Sequence, residues 1–371
     1  MRLVLLKRDT LLRPLQAVSG IVEKRHTLPI LSNVLIDKTQ DQLALTATDL
    51  EIQISTAFAI EGKKGGEDTK LTVSARKLQD ILRALPDDAE AALEVQNNRL
   101  QVKAGKSRFN LQTLPANDFP VLAEPGKAQA RITLQQKQLR ELLLLVQYAM
   151  AQQDIRYYLN GLLLVLEGRQ LKVVATDGHR LSYASGTLPQ EQQAKIEVIL
   201  PRKAVQELAK QLTDGEDAVE VEIYASQVIF RFAGIELVTK VIDGKFPDYT
   251  RVIPSNYHKR ITLDRTQLLQ SLQRAAILSN EKFRGVRWVL TSGSLRISCT
   301  NNEQEEAQEE LEIDYAGDAL DIGFNITYLL DVLNNVQGQS IECAFGDANS
   351  SMLITLPAND EFRYVVMPMR I

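Results

Sequence analysis

An internal repeat constrains this sequence more than any other feature. A helical pattern of apolar residues at i, i+3, i+4 and i+7 begins at Leu78, again at Val205 and again at Leu329. The three starting points are 127 and 124 residues apart in a chain of 371 residues. Because repetition at a nearly constant spacing is typical of repeated structural units, we predict three copies of one fold.

Each third of the chain carries two apolar helical stripes, which predict six helices in all. The predicted helices span residues 8–22, 74–85, 135–151, 201–213, 264–279 and 325–336. Between the helices, apolar residues alternate with polar ones, as in Val219–Ile223 and Val228–Phe232, and this pattern predicts strands with one buried face. Each third is therefore expected to contain helix, strands, helix and strands, which is an α+β fold.

Turn-rich segments separate the thirds. They are Ala123–Ala130 and Pro254–Lys259, whose residues favour turns and loops over helices and strands. We predict three repeated domains with boundaries at these segments, at residues 1–126, 127–256 and 257–371.

The composition is that of an ordinary globular protein, with 44% hydrophobic and 24% charged residues. No apolar run approaches the roughly 20 residues that cross a membrane, and the first apolar segment is too short for a signal peptide. Cys299 and Cys343 lie in strand-like apolar segments, where buried, reduced thiols are expected. We therefore predict a cytoplasmic protein.

Charge is unevenly distributed along the chain. The formal net charge is −4, but the predicted helices together carry +6 and the remainder carries −10. Five of the six helices are net positive, which favours a shared basic surface that faces a polyanion. For any single helix, the alternative is simply a solvated polar face.

Residues 153–183 concentrate the candidate binding chemistry. The triplet Arg156-Tyr-Tyr is suited to phosphates and bases, although one of the rings could instead pack in a core. Two apolar strands joined by Glu167–Arg169 are predicted. A small polar turn is predicted at Thr176–Leu181.

An enzyme is the competing class, because Asp177, His179 and Arg180 could form an acid–base cluster. The sequence contains no Gly-rich phosphate loop, no His-Glu-x-x-His motif and no Cys-x-x-Cys motif. An Asp-Gly pair after a strand more often marks a turn than a catalytic dyad. We therefore predict a non-catalytic protein that has neither a metal site nor a cofactor.

Six segments of the sequence together resemble the beta sliding clamp family, the processivity subunits of bacterial DNA polymerase III. They are Arg25–Leu31, Arg156–Gly161, Ala175–Leu181, Asp243–Tyr249, Ile277–Arg287 and Tyr364–Ile371. The resemblance runs over the whole chain. It implies a head-to-tail homodimeric ring of clamp domains, each with two helices on the inner face and antiparallel sheets outside. Such a ring encircles duplex DNA and tethers the replicative polymerase alpha subunit, the clamp loader, other polymerases and repair proteins.

The resemblance implies contact with DNA at four positions. The matching residues are Arg25, Gln153, Tyr157 and Tyr158. These residue types agree with that role, because arginine meets phosphate as a charge and tyrosine can stack on a base or donate to phosphate.

The resemblance also implies a pocket that binds short apolar motifs of partner proteins. The matching residues are Leu159, Thr176, Gly178, His179, Arg180, Leu181, Pro247, Arg251, Val252, Phe283, Asn325, Tyr328, Asn349, Ser351, Val365, Val366, Met367, Pro368, Met369 and Arg370. Many of them are apolar, as expected of a small binding site. Asn349 replaces a small apolar residue that is frequent in the family, so we expect a more polar rim.

A third implied site is the subunit interface. The matching residues are Arg99, Lys103, Lys106, Arg108, Phe109, Leu111, Ile277, Leu278, Glu303, Glu305, Glu306 and Glu309. A basic strand edge near one end of the chain complements an acidic run near the other, which suits head-to-tail closure. The alternative for the acidic run is a solvated face.

For the whole chain, the alternative function is a clamp-like scaffold that is not dedicated to replication.

Overall fold

A computed structural model describes residues 2–23, 28–60 and 68–371. The chain forms two compact units. Unit 1 contains Met1–Lys137 and Gln206–Val241, and unit 2 contains Gln138–Val205 and Ile242–Ile371. Strands of the central third belong to both units, because some pair with strands of the first third and others with strands of the last. The three domain boundaries expected from the sequence stay a prediction.

The predicted helices are confirmed within the described residues, each slightly shorter than predicted. They are α1 (Arg8–Ser19), α2 (Ala75–Ala84), α3 (Gln136–Val146), α4 (Arg202–Gln211), α5 (Arg265–Ala276) and α6 (Ile326–Asn335). Three of them begin at a polar side chain that accepts a free backbone N–H, namely Ser74, Asp264 and Asn325. The largest difference is in α3, which ends at Val146 and continues as a short 3-10 turn.

The strands of the described residues are all paired antiparallel. They are β1 (Arg2–Lys7), β2 (Asn33–Lys38), β3 (Gln42–Thr48), β4 (Ile52–Ala59), β5 (Thr69–Ser74), β6 (Glu90–Gln96), β7 (Arg99–Ala104), β8 (Ser107–Leu114), β9 (Ala130–Gln135), β10 (Gly161–Thr176), β11 (Arg180–Pro201), β12 (Ala218–Ile223), β13 (Gln227–Phe232), β14 (Ile235–Lys240), β15 (Lys259–Asp264), β16 (Gly285–Thr291), β17 (Ser294–Thr300), β18 (Glu306–Glu312), β19 (Leu320–Asn325), β20 (Ser340–Phe345), β21 (Met352–Leu356) and β22 (Asn359–Val366).

The strands form one continuous sheet in unit 1 and two sheets in unit 2. The sheet of unit 1 has the order β1-β6-β7-β8-β5-β2-β3-β4-β14-β13-β12-β9. Unit 2 has a six-stranded sheet, β10-β11-β22-β21-β20-β15, and a four-stranded sheet, β18-β17-β16-β19. Hydrogen bonds of the central third therefore cross into the first third at β14–β4 and into the last third at β11–β22.

The prediction of two strands joined at Glu167–Arg169 is wrong. Residues 161–176 form the single strand β10, which pairs with β11 at both ends and shifts in register on either side of Gly168. Gly168 has φ +58° and marks an irregularity in the register rather than a reversal. The chain reverses only after Thr176, at the predicted polar turn.

The segments Thr48–Ile52 and Thr176–Arg180 fold into the same turn, each within its own unit. In both, the threonine hydroxyl donates to the carbonyl oxygen four residues later, at 2.9 and 2.6 Å. The next residue is an aspartate, which accepts two backbone N–H groups at 2.8–3.1 Å. The third residue has positive φ, +79° at Leu50 and +90° at Gly178. The same local structure therefore recurs in the first and central thirds of the chain.

Apolar faces of helices and strands form the core. In α6, for example, Leu329, Val332 and Leu333 are buried, as their spacing predicts.

Cys299 and Cys343 are free and buried, and burial raises the pKa of Cys299 to about 11, which keeps this thiol protonated. Within the described ranges, no helix is both long and apolar enough to cross a membrane.

Candidate functional site

A cavity of about 200 Å³ lies in unit 2 where four segments meet. Its lining residues are Arg156, Tyr158, Leu159, Thr176, Gly178, Arg180, Leu181, Phe246, Pro247, Tyr249, Val252, Val365 and Met367. Most of them are apolar or aromatic, and Leu159, Leu181 and Val365 also belong to the buried core beneath. Sites for whole small molecules are typically about 300–1,000 Å³, so this cavity suits individual side chains of a longer ligand.

The polar turn after β10 shapes one side of the cavity. Asp177 accepts the backbone N–H groups of His179 and Arg180 through Oδ1, at 2.9 and 3.1 Å. Gly178 has φ +90°, a conformation that side chains with a β-carbon rarely adopt. A β-carbon at Gly178 would also lie 3.0 Å from Nη2 of Arg156. Glycine therefore suits both the conformation of this turn and the close approach of Arg156, although the matching turn holds Leu50 at φ +79°.

Arg180 anchors the cavity wall to the helices of unit 2. Its side chain is only 9% exposed and donates to Asp177 at 3.1 Å, to Asp331 at 2.6 Å and to the Tyr148 carbonyl oxygen at 2.6 Å. The guanidinium also lies 4.4 Å from the centre of the Tyr328 ring. Burial alone would lower the pKa of Arg180. Charge interactions and a hydrogen bond with its neighbours outweigh burial and raise the pKa, so the guanidinium stays charged.

Nine of the residues predicted for the partner pocket line this cavity. They are Leu159, Thr176, Gly178, Arg180, Leu181, Pro247, Val252, Val365 and Met367. The other predicted pocket residues do not line it: His179, Arg251, Phe283, Asn325, Tyr328, Asn349, Ser351, Val366, Pro368, Met369 and Arg370. Sequence reasoning did not assign Phe246 and Tyr249, although both flank Pro247 in the Asp243–Tyr249 motif.

The predicted pocket residues outside the lining have different structural roles in unit 2. The His179 carbonyl oxygen accepts the backbone N–H of Met367 at 2.9 Å. Asn325 caps α6, and the Phe283 side chain is 59% exposed. Asn349 is exposed in the turn after β20 and is absent from the cavity lining, so the structure leaves the expected polar rim a prediction.

The residues predicted to contact DNA lie on a short loop of unit 2, except Arg25, which is outside the described residues. Gln153 has φ +57°, and the Tyr157 side chain is 58% exposed. The rings of Tyr157 and Tyr158 meet edge to face with their centres 6.0 Å apart. Tyr158 is partly buried, packs on the core cluster and lines the cavity. Tyr158 therefore packs in the core as the alternative allowed, and the contact of Tyr157 with DNA stays a prediction.

Hydrogen bonds fix the shape of this loop. Asp154 accepts the backbone N–H and the side chain of Arg156 at 2.8–3.0 Å. Asn160 closes the loop through two hydrogen bonds to the Asp154 backbone, both 2.9 Å long. The hydrogen bonds from Arg156 lower the pKa of Asp154 from its ordinary 3.8 to about 2. The loop is thus held in one conformation around an ionised carboxylate.

Most of the residues predicted for a subunit interface lie along or beside two strand edges. Residues 107–112 of β8 pair with β7 only, and β18 pairs with β17 only, among the described strands. On β8, Arg108 is exposed and Phe109 is half-buried, while Lys106 is exposed in the turn before the strand. Glu306 begins β18 and is exposed. Each unit therefore presents a charged edge with open backbone groups.

Some of the predicted interface charges already have partners within their own unit. Lys103 donates to Glu94 at 2.6 Å, and Arg274 donates to Glu309 at 2.8 Å. The apolar candidates differ in exposure: Ile277 is 78% exposed, whereas Leu111 is 8% exposed. Ile277 is therefore the most available apolar group of the predicted interface set.

Comparison with protein families gives three matches in order along the chain. Residues 1–123 match the N-terminal domain of the DNA polymerase III beta subunit, residues 133–248 its central domain and residues 250–370 its C-terminal domain. The molecule therefore consists of three clamp domains of an α+β fold, as the repeat predicted.

Individual relatives agree over the full length. The beta sliding clamp of Pseudomonas putida is 47% identical over 366 residues, which cover 99% of both chains. That of Escherichia coli K12 is 43% identical over 365 residues, or 98% of this chain and 99% of the relative. The crystal structure of the Pseudomonas aeruginosa DNA polymerase sliding clamp matches with a TM-score of 0.95 at 45% identity, covering 100% of both chains. The chain therefore belongs to the DNA polymerase III beta subunit family, the beta sliding clamps, and serves as a DNA polymerase processivity factor.

Proposed function

We propose that this chain works as a non-catalytic, cytoplasmic, homodimeric ring that holds replication and repair proteins on duplex DNA through the cavity in unit 2. The observation that carries the proposal is the convergence of nine predicted pocket residues on one small apolar cavity. A cavity of this size and lining can accept apolar side chains of a short peptide while the peptide backbone lies across its mouth.

The proposed partner site extends beyond the cavity itself. Phe283, Asn325, Tyr328, Met369 and the other predicted residues outside the lining would contact the rest of the bound peptide. Exposed Phe283 and flexible Met367 suit a surface that accepts several sequences. The partners proposed are the replicative polymerase alpha subunit, the clamp loader, other polymerases and repair proteins.

Contact with DNA is assigned to Arg25, Gln153, Tyr157 and Tyr158. Support comes from the exposed ring of Tyr157 on a loop whose conformation is fixed by hydrogen bonds. The six helices have a net positive charge in a chain that is negative overall, which suits a surface lining the path of DNA.

Ring closure is assigned to the edges of β8 and β18, with Ile277 and Leu278 beside them in the assembled dimer. The support is electrostatic and apolar complementarity: exposed basic groups on one edge, exposed glutamates on the other, and an exposed isoleucine. The three domains are proposed to be bounded as predicted, at residues 1–126, 127–256 and 257–371.

Fluorescence anisotropy tests the partner site. The probe is a fluorescein-labelled peptide that carries the clamp-binding segment of the replicative polymerase alpha subunit from the same organism. We expect removal of Met367–Ile371 to abolish binding and Met367→Ala to weaken it, because both remove part of the cavity wall. Val121→Ala is the matched control, since Val121 is an exposed apolar residue outside the cavity. Unchanged affinity in the truncated dimer would refute the assignment of the cavity.

A further inference from the structure

The segment after β22 is tied to unit 2 at two points. The backbone N–H of Met367 donates to the His179 carbonyl oxygen at 2.9 Å, and that of Met369 donates to the Gly323 carbonyl oxygen at 2.8 Å. The first tie lies at the cavity, which Met367 lines. The second lies on the four-stranded sheet, in β19. The position of this tail, Met367–Ile371, therefore determines where one wall of the cavity stands.

Gly323 lies under the tail in the interior of β19, where it pairs with Arg287 of β16. A β-carbon at this position would collide with the carbonyl oxygen of Met369 and would lie 2.6 Å from side-chain atoms of Ile371. Gly323 is not among the residues with positive φ, so its backbone conformation does not require glycine. Glycine weakens a strand interior, and close approach of another backbone is one reason to find it there.

Gly285, at the start of β16, provides a graded comparison. A β-carbon there would lie 3.2 Å from the Met369 methyl carbon and 3.5 Å from Ile371. Both neighbours are ends of flexible side chains, which can move by a few tenths of an ångström. At Gly323 the obstacle is the tail backbone, which cannot move without shifting the residues on either side.

We propose that Gly323 is a positioning residue for the partner pocket: because it lacks a side chain, the tail seats on β19 and Met367 is held at the cavity. This inference rests on the proposed function of the cavity. A methyl group at position 323 would lift Met369 and strain its hydrogen bond. Met367 is two residues away, so its side chain would leave its place in the cavity wall.

The test combines Gly323→Ala with the tail truncation. In the full chain, we expect Gly323→Ala to weaken the labelled polymerase peptide at least about tenfold, since losing a central contact typically has an effect of this size. Gly285→Ala should have a smaller effect. Gly126→Ala is the matched control, because a β-carbon at Gly126 meets nothing within 4 Å and its φ is not positive.

The melting temperature distinguishes a role of Gly323 in seating the tail from a role in stabilising β19 itself. If its only task is to seat the tail, Ala at position 323 should not change the melting temperature of the chain that lacks Met367–Ile371. An equal loss of melting temperature in both backgrounds would overturn the inference. In methyl-labelled full-length protein, Gly323→Ala should shift the methionine resonances of Met367 and Met369, and Gly126→Ala should not.

The outcomes separate this inference from the proposed function. If truncation abolishes peptide binding but Gly323→Ala binds like the unmodified protein, only the positioning role fails. If the truncated protein binds the peptide with full affinity, the cavity is not the partner site, and the proposed function fails with it.

Discussion

The guanidinium of Arg180 donates to the carboxylate of Asp331 in α6 at 2.6 Å, between Nη1 and Oδ2. Arg180 lines the cavity and is nearly buried, whereas Asp331 is 35% exposed. A buried charge needs such partners, because removing one leaves the charge uncompensated. The pair therefore links the wall of the cavity to a helix of the C-terminal domain.

Asp331→Ala should destabilise the protein through this link. We expect a loss of about 1–2 kcal/mol in the free energy of unfolding, since Asp331 is partly screened by water and Asp177 still faces Arg180. Chemical denaturation measures the loss. Asp321→Ala is the control: its partner Arg287 is more than half exposed, so the change should stay below about 0.5 kcal/mol. Equal losses in the two variants would contradict the argument from burial.

Replacing Ile277 and Leu278 together by Ala should convert the dimer to monomer. Full burial of an isoleucine or leucine side chain contributes about 1.5–3 kcal/mol, and a two-subunit ring loses this at both interfaces. Ile277 is 78% exposed in the single chain, so its burial must come from a partner. Analytical ultracentrifugation at micromolar concentration gives the mass. Val121→Ala, at another exposed apolar residue, should remain dimeric, and a dimeric double variant would show that the interface is misplaced.

Retention on DNA should depend on topology rather than on contact energy. A chain of net charge −4 has little capacity to neutralise phosphates, and binding of that kind weakens steeply with salt. After loading on a nicked circle, the protein should withstand a wash at several hundred millimolar salt and should slide off when the circle is linearised. Gel filtration of labelled protein distinguishes the two states. Equal retention on circular and linear DNA would mean binding by contact.

The combined Ala variant of Arg25, Tyr157 and Tyr158 should load onto DNA less efficiently than the unmodified protein. Its retention on the circle, once loaded, should be almost unchanged, because these side chains guide DNA without closing the ring. The same gel-filtration assay, run as a time course with the clamp loader, separates loading from retention. A variant that loads normally but dissociates from circular DNA would contradict these roles.

The Asp154 carboxyl should titrate at about pH 2 in the folded protein, below its ordinary 3.8, because Arg156 donates to the ionised form. A lowered folded-state pKa stabilises the fold above about pH 4, and this contribution disappears as the pH falls towards 2. Carbon-13 NMR of the carboxyl follows the titration, with a peptide of residues 152–158 as the unstructured control. A midpoint in the protein that equals the peptide value would exclude the ion pair in solution.

The helices were predictable because their signals are local. Apolar spacing places Leu329, Val332 and Leu333 on one face, and Asn325 caps the helix they belong to. The turn at Thr176–Arg180 was equally predictable, since short polar side chains bond to the backbone within a few residues.

Strand pairing was less predictable, because it depends on residues far apart in sequence. Glu167–Arg169 carries a glycine flanked by charges, which favours a turn, but pairing with β11 resumes on the far side of it, so the segment is an irregularity within one strand. The same holds for charges: the acidic run of the last third is visible in the sequence, yet only the fold shows that Glu309 is bonded to Arg274.

The sequence alone determined the repeat, the six helices, the Asp-Gly turn and the residues that resemble a clamp, because each of these is set by neighbours within a few residues or by direct similarity. The tertiary structure decided which of those residues share a cavity, how Phe246 and Tyr249 complete it, and why a strand carries Gly323 where the tail crosses it. These depend on close approach between segments distant in the chain, and packing of that kind leaves no periodic trace in the sequence.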